Sequence, residues 1–254
     1  MADTTSRPMI EIAGLHKSFG EHQVLTGIHL AVPSGSTCVI LGGSGSGKTV
    51  LMKHMIGLLK PDTGQVIIDG EDIVPMDAHG LERVRHKFGM VFQAAALFDS
   101  MNVYDNVAFP LREHRDMSEE EILQLVRAKL DLRGLPRSAE QKFPADLSGG
   151  MRKRVGLARA IVMNPKIVLY DEPTTGLDPI TTDYVDEMIL AAQRELGITS
   201  VVISHDIASA FNIADQIAFL SKGVIVEQGP PEQLRASQHP AVKVFLQTWF
   251  GKND

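Results

Sequence analysis

The segment from Gly42 to Thr49 is arranged for phosphate chemistry. Gly42, Gly47, Lys48 and Thr49 fit G-x-x-x-x-G-K-[ST] without a mismatch, and each residue type has a physical task there. Glycines let backbone N–H groups turn inward on phosphate oxygens, and a helix starting at the loop adds the partial positive charge of its N-terminus. The Lys48 ammonium neutralises β and γ oxygens, and the Thr49 hydroxyl suits a Mg²⁺ ion. The candidate nucleotide contacts are therefore Gly42, Gly43, Ser44, Gly45, Ser46, Gly47, Lys48, Thr49 and Val50. A solvated Gly/Ser loop ahead of a surface lysine is the alternative, and the apolar run before the loop and the helical run after it argue against that.

A triphosphate site needs an acidic half as well. Ile167, Val168, Leu169 and Tyr170 run into Asp171 and Glu172, so two carboxylates emerge together at the end of a buried strand, where ligands of open α/β sheets collect. Asp171 is the candidate Mg²⁺ residue, acting through the ion's water shell, and Glu172 the candidate base for the attacking water. Adjacent carboxylates in apolar surroundings repel unless a cation lies between them, which itself argues for the metal. Ser200 to Ser204 run into His205 in the same way.

Holding these groups together takes a sheet. Thr37 to Leu41 is a short apolar run ending in glycines, and behind it Leu51, Met52, Met55, Ile56 and Leu59 recur at helical spacing until Pro61. Met9 to Ile12, Ile28 to Val32 and Val66 to Ile68 read as strands of an antiparallel subdomain, bounded by turns such as Asp69-Gly70. From Ala94 to about Met163 the pattern becomes helical, with Ser118 and Glu119 to Glu121 as one helix start and Ile122, Leu125, Val126, Lys129 and Leu130 as its faces. Strand-like runs return at Ile167 to Tyr170, Ser200 to Ser204 and Ile217 to Leu220 with helical stretches between, as in a parallel sheet. Pro240 opens a last helix with Val242, Phe245, Leu246, Trp249 and Phe250 on one face, stopped by Gly251. The fold class is α/β.

Composition bounds the function. The chain has 254 residues, one cysteine (Cys38) and a net charge of −6. The single thiol excludes an internal disulfide and suits a reducing compartment. No apolar run is long enough to span a bilayer, and the start, MADTTSRPMIEI, has neither the basic nor the apolar region of a secretion signal; a soluble cytoplasmic protein is expected. The basic clusters Arg83, Arg85, His86, Lys87 and Arg152, Lys153, Arg154 lack interleaved aromatics, and with a negative total charge they read as solvated faces, not as a nucleic-acid surface.

Leu147-Ser148-Gly149-Gly150-Met151 resembles the LSGGQ signature of ABC-type ATPases, and its company agrees. Gln93, after Met90-Val91-Phe92, looks like the Q-loop glutamine. Glu172 to Pro179 look like the Walker B glutamate and D-loop, with Asp178 as the D-loop acid, and His205 looks like the switch histidine. Phe19 stands where the family places an aromatic under the adenine. The resemblance implies a P-loop NTPase of the ABC fold over residues 8–239, with a RecA-like parallel core, an antiparallel β subdomain and a helical subdomain at about 94–163, followed by an amphipathic tail at 240–254. It also implies that two copies pair head to tail, so that Ser148, Gly149 and Gly150 of each complete the ATP site of the other, with Arg152 to Arg154 alternatively facing that nucleotide. Gln93 and His205 are then sensors of Mg²⁺, water and γ-phosphate.

Within that family the chain is similar to the MlaF-type ATPase of MCE-linked lipid transporters. The similarity is carried by Gly43 to Leu51, Ala96 to Met101, Asn106 to Glu113 and Leu147 to Arg154. This subfamily also accepts Val50 and Met151, which depart from the general pattern. What the resemblance implies is an ATPase peripheral to the cytoplasmic face of a bacterial inner membrane, driving phospholipid between inner and outer membranes. Its implied partners are a permease (MlaE-like) and further MCE-domain (MlaD-like) and STAS-domain (MlaB-like) subunits. Leu97, Phe98, Met101 and Tyr104 would border the groove that receives the permease, and the tail would reach a neighbouring subunit. A soluble ABC protein acting on nucleic acid is disfavoured by single copies of each motif and by the absence of sustained heptads between Thr49 and Leu147.

Overall fold

The computed structural model describes residues 7–132 and 134–250, except for the side chains of residues 248–250. In chain order the elements are β1 (Ile10–Phe19), β2 (His22–Val32), β3 (Thr37–Leu41), α1 (Lys48–Met55), β4 (Thr63–Ile68), β5 (Glu71–Asp72), α2 (Ala78–Arg85), β6 (Phe88–Val91), α3 (Val103–His114), α4 (Glu119–Leu132) and α5 (Gly149–Ile161). They continue with β7 (Ile167–Asp171), α6 (Pro179–Leu196), β8 (Thr199–Ser204), α7 (Ile207–Ile213), β9 (Gln216–Ser221), β10 (Val224–Gly229), α8 (Pro231–Arg235) and α9 (Pro240–Phe250).

The core is a six-stranded sheet in the order β10-β9-β3-β8-β7-β6. All neighbours from β9 to β6 are parallel, and β10 closes the edge as an antiparallel hairpin on β9. β3 is buried at every position, as expected for a parallel strand covered on both faces, which is why it reads as a continuous apolar run. Within it Cys38 is fully buried, and burial pushes its thiol up to about 12. A four-stranded antiparallel sheet, β2-β1-β4-β5, packs over α1 on one face of the core, sharing a cluster that includes Ile12, Leu30, Met52 and Leu169. The opposite face is covered by α6, α7 and α9.

Two of the element boundaries that differ from the sequence reading have a local cause. β1 runs on to Phe19 because its polar end, His16 to Phe19, pairs with β2, beyond an irregularity that follows Ile12 and includes Gly14 at φ +58°. α1 stops at Met55, well before Pro61: Gly57 takes φ +63°, its N–H reaches the His54 carbonyl, and Leu58 turns out to solvent. A left-handed glycine ends a helix whatever the apolar spacing beyond it. In the tail, Val242 and Leu246 are buried on this chain's own core, and Phe245 meets Phe219 edge-on at 5.0 Å. That half of the expected stripe packs in cis; the Trp249 and Phe250 side chains and Gly251 lie outside the described residues. Among the described residues no helix is long and apolar enough to cross a membrane.

The helical subdomain has its own core of α3, α4 and α5. Ser118 and Glu121 cap α4 reciprocally, the Glu121 N–H donating to Ser118 Oγ at 3.3 Å and the Ser118 N–H to Glu121 Oε2 at 2.8 Å. Asn106, fully buried in α3, ties down the loop before it: its Oδ1 accepts from Phe98 N at 2.8 Å and its Nδ2 donates to the Phe98, Met101 and Asn102 carbonyls. Asn106→Ala leaves a cavity in the helical core and frees those half-buried backbone groups, and a loss of about 1–2 kcal/mol is expected. Urea unfolding checks it; an unchanged midpoint would show that the loop is held otherwise.

Candidate functional site

The parallel strands β3, β8, β7 and β6 end at one edge of the sheet, and each delivers a group to it: Gly42 onward, His205, Asp171 with Glu172, and Gln93. The P-loop follows β3 with almost no room to spare. A Cβ on Gly42 would lie 2.2 Å from the Leu220 carbonyl oxygen, and one on Gly47 2.8 Å from Leu25 Cδ2. Gly47 also holds φ +106° as the residue that starts α1. Only glycine meets both conditions.

Lys48 is buried at the base of this loop, its Nζ donating to the Gly42 and Gly43 carbonyls at 2.8 and 3.1 Å. Burial lowers its pKa, and the nearby Glu172 and Asp171 carboxylates oppose that. Ser46 Oγ is buried without a hydrogen-bond partner. An orphaned hydroxyl inside a glycine cradle, beside a lysine, fits the phosphates of a nucleotide.

Glu172 stands across the cleft in a left-handed backbone conformation, φ +50°. A non-glycine residue keeps such a conformation only when its surroundings over-determine it. Here its N–H donates to the Ile203 carbonyl at 2.9 Å, while Oε2 accepts from Thr175 Oγ1 at 2.9 Å and from His205 Nδ1 at 2.7 Å. His205 and Glu172, expected separately at two strand ends, thus form one hydrogen-bonded unit. Burial first, and then the Glu172 charge, raise the pKa of Asp171, with Lys48 and Lys53 pulling the other way. That is the like-charge strain the sequence implies, and a divalent cation relieves it.

The resulting cavity, about 540 Å³, is lined by the loop from Ser44 to Val50, by Gln93, Glu172 and His205, and by two residues sequence reasoning missed, Val24 and Thr175. Thr175 was inside a recognised motif, but only the fold shows its hydroxyl on Glu172; Val24 is an ordinary strand valine that no local signal marks. Phe19 is 49% exposed at the end of β1, with the Lys17 ammonium 5.5 Å from its ring, and does not line the cavity.

Two other expected groups stand apart from this cleft. Ser148 caps α5 by accepting from Met151 N at 3.3 Å, with Gly149 and Gly150 as its first turn on the surface. Asp178 caps α6, accepting from Thr181 N at 3.1 Å and Thr181 Oγ1 at 2.6 Å. The reading of Arg152 to Arg154 as a solvated face is corrected. Arg152 donates to the Leu147 carbonyl, Arg154 bonds the Gly134 carbonyl and lies 4.7 Å over the Tyr184 ring, and Lys153 is buried. In the other cluster, Arg83 and Lys87 are ion-paired with Glu71, and Lys87 also with Asp69.

The family model for ABC transporters matches residues 25–175, from β2 through the P-loop and the signature to Thr175. The chain belongs to the ABC transporter ATP-binding family. Among its relatives, the probable ribonucleotide transport ATP-binding protein mkl of Mycobacterium tuberculosis is 46% identical over 96% of this chain and 69% of its own length. The intermembrane phospholipid transport system ATP-binding protein MlaF of Escherichia coli is 40% identical over 94% of this chain and 88% of its own. Among solved structures, cbiO1 of Clostridium perfringens, part of the ABC transporter complex cbiONQ, superposes with a TM-score of 0.85 at 30% identity, covering 97% of each chain. The ATP-binding cassette MJ0796, seen as a dimer in a post-hydrolysis state with ADP and Pi, has a TM-score of 0.79 at 31% identity over 88% of this chain and 99% of its own.

This cassette is an ATPase subunit of an ABC transporter, so removing the buried ammonium of its glycine loop has an expected outcome. Lys48→Ala should abolish ATP binding, and because it frees the buried Gly42 carbonyl, thermal unfolding is recorded beside it to show that the variant is folded. Titration with a fluorescent ATP analogue reads this directly, and near-normal affinity or turnover would refute the phosphate assignment.

Proposed function

We propose that this cassette powers a transporter that moves phospholipid between the inner and outer membranes of a bacterial envelope, working as a head-to-tail dimer with two composite ATP sites. The observation that carries the cargo reading is the 40% identity to MlaF at nearly matched length. The mkl relatives, 46% identical but spanned over only 69% of their length, support a second reading in which the cargo is a ribonucleotide. Dimer formation is supported by the placement of Ser148, Gly149 and Gly150 on the surface at a helix N-terminus, outside their own cleft, and by dimeric MJ0796. Asp178 and Phe19, also outside that cavity, would meet nucleotide or partner only in the closed dimer.

In the hydrolysis step Glu172 is the base. Its Oε2 is occupied by His205 and Thr175, which leaves Oε1 to take the proton of the attacking water. A carboxylate acceptor fixes His205 with Nδ1 protonated, so Nε2 is turned to the water or γ-phosphate. Lys48 and the P-loop N–H groups hold the phosphates. Thr49, Gln93 and Asp171 are the residues that would hold Mg²⁺, which supplies charge neutralisation at the β and γ oxygens.

Docking to a permease is assigned to a groove of about 590 Å³ between the core and the helical subdomain. Phe88, Phe92, Phe98, Phe109, Arg85 and His114 are among the residues that line it, with Phe92 and Phe98 exposed. Of the apolar residues expected there, Phe98 lines the groove, while Leu97 and Tyr104 pack on the helical core. A site on the cytoplasmic face of the membrane, with MlaE-, MlaD- and MlaB-like subunits as partners, belongs to the same proposal.

Glu172→Gln should bind ATP but lose roughly 10²–10⁴-fold in turnover, with an ATP-bound dimer accumulating on size exclusion; free hydrolysis would move the base elsewhere. For the cargo, mass spectrometry of lipids and nucleotides co-purified with the cassette and its membrane partner should find phospholipid. Enrichment of ribonucleotide instead would favour the second reading.

A further inference from the structure

Lys153 has no place in the phosphate cleft, yet it is only 7% exposed and has no ion pair among the described residues. Its Nζ donates to two main-chain carbonyls, that of Gln93 and, at 2.7 Å, that of Pro173. The first belongs to the sensor residue after β6; the second follows Glu172 directly. Lys153 itself sits about one turn into α5, behind Ser148, Gly149 and Gly150. One ammonium therefore joins the signature helix, the Gln93 loop and the peptide that carries the catalytic carboxylate.

The same face of α5 shapes the loop further along. Lys153, Gly156 and Arg159 recur at three-residue spacing, which aligns them on one side. A Cβ on Gly156 would press to 3.1 Å from Ala95 Cβ, and Arg159 donates to the Ala95 and Ala96 carbonyls at 2.8 and 2.9 Å. Ala95 and Ala96 hold φ +61° and +46°, left-handed conformations that non-glycine residues keep only under external restraint. The shape of the Gln93 loop is thus imposed by α5. Of these residues only Lys153 also reaches across to Pro173.

We propose that Lys153 is a positioning residue for ATP hydrolysis: it fixes Gln93 and Glu172 relative to each other and to the first turn of α5, so that a displacement of that helix is transmitted to the catalytic carboxylate. A buried ammonium with no counter-ion is tolerated only while its carbonyl acceptors stay in place, since losing either leaves charge unsatisfied in the interior. The link is stiff for that reason, and Glu172, already in a left-handed conformation, has little freedom to absorb a shift. The proposal rests on the reading of Glu172 as the base.

The test compares Lys153→Met with Lys153→Arg in the full-length chain, each alone and combined with Glu172→Gln, by kcat, ATP KM and thermal unfolding. Lys153→Met should lower kcat on the order of 10–100-fold with KM held within about three-fold, and Lys153→Arg, which keeps charge and donors, should recover most of the rate. In the Glu172→Gln background the Met substitution should change kcat by less than about two-fold, because residues acting as a unit are not additive. Wild-type kcat in Lys153→Met, no recovery by Arg, or an undiminished loss in the Glu172→Gln background would each overturn the proposal. If Lys153→Met fails to fold, Lys153→Gln carries the same comparison. Wild-type turnover in Glu172→Gln alone would sink the base assignment and the proposal together, whereas a fully active Lys153→Met beside an inactive Glu172→Gln sinks the proposal alone.

Discussion

Parallel pairing of β3 with β8 and β9, and of β7 with β6 and β8, is the constraint from which the rest follows. Parallel strands all point one way, so their C-terminal ends gather at a single edge, where groups from separate strand ends come together. The glycine loop, the two carboxylates, the histidine and the glutamine come from distant parts of the chain and meet because the strands that precede them end at that edge. The close approach of Gly42 to the Leu220 carbonyl shows how tightly that edge is built. The strand that holds the loop and the strand beside it leave no space for any side chain.

Electrostatics at this edge is a balance of like and unlike charge. Lys48 is held by carbonyls and drawn by carboxylates, while Asp171 is pressed by Glu172 and by burial. Neither group is at rest in the sense of a satisfied surface ion pair. By contrast the ion pairs of Asp69 and Glu71 with Lys87, Lys166 and Arg83 lie away from the cleft, where they tie the antiparallel sheet to the start of β6 and β7.

How much of this was legible in the sequence depended on range. The phosphate loop, the acidic strand end and the helix start at Ser118 could be read because their chemistry lies within a few consecutive residues. The end of α1 at Gly57 was written locally too, but apolar residues beyond it imitated further turns. The partnership of His205 with Glu172 was not readable, because two strand ends become neighbours only through sheet order. Lys153 was misread for a deeper reason. Charge predicts exposure unless a partner exists, and its partners are backbone carbonyls, which carry no side-chain signature. Ser148 and Asp178 illustrate the opposite case: their types were recognised, and in a single chain they cap helices.

Cys38 has a practical meaning beyond its place in β3. With its thiol enclosed and pushed up to about 12, almost none of it is ionised near neutral pH, and it has no route to a reagent. The molecule is in effect a thiol-silent scaffold. A cysteine introduced on the exposed first turn of α5 or beside the aromatic groove would be the one reactive sulfur in the chain, so distances across a working transporter could be followed without first removing the native residue.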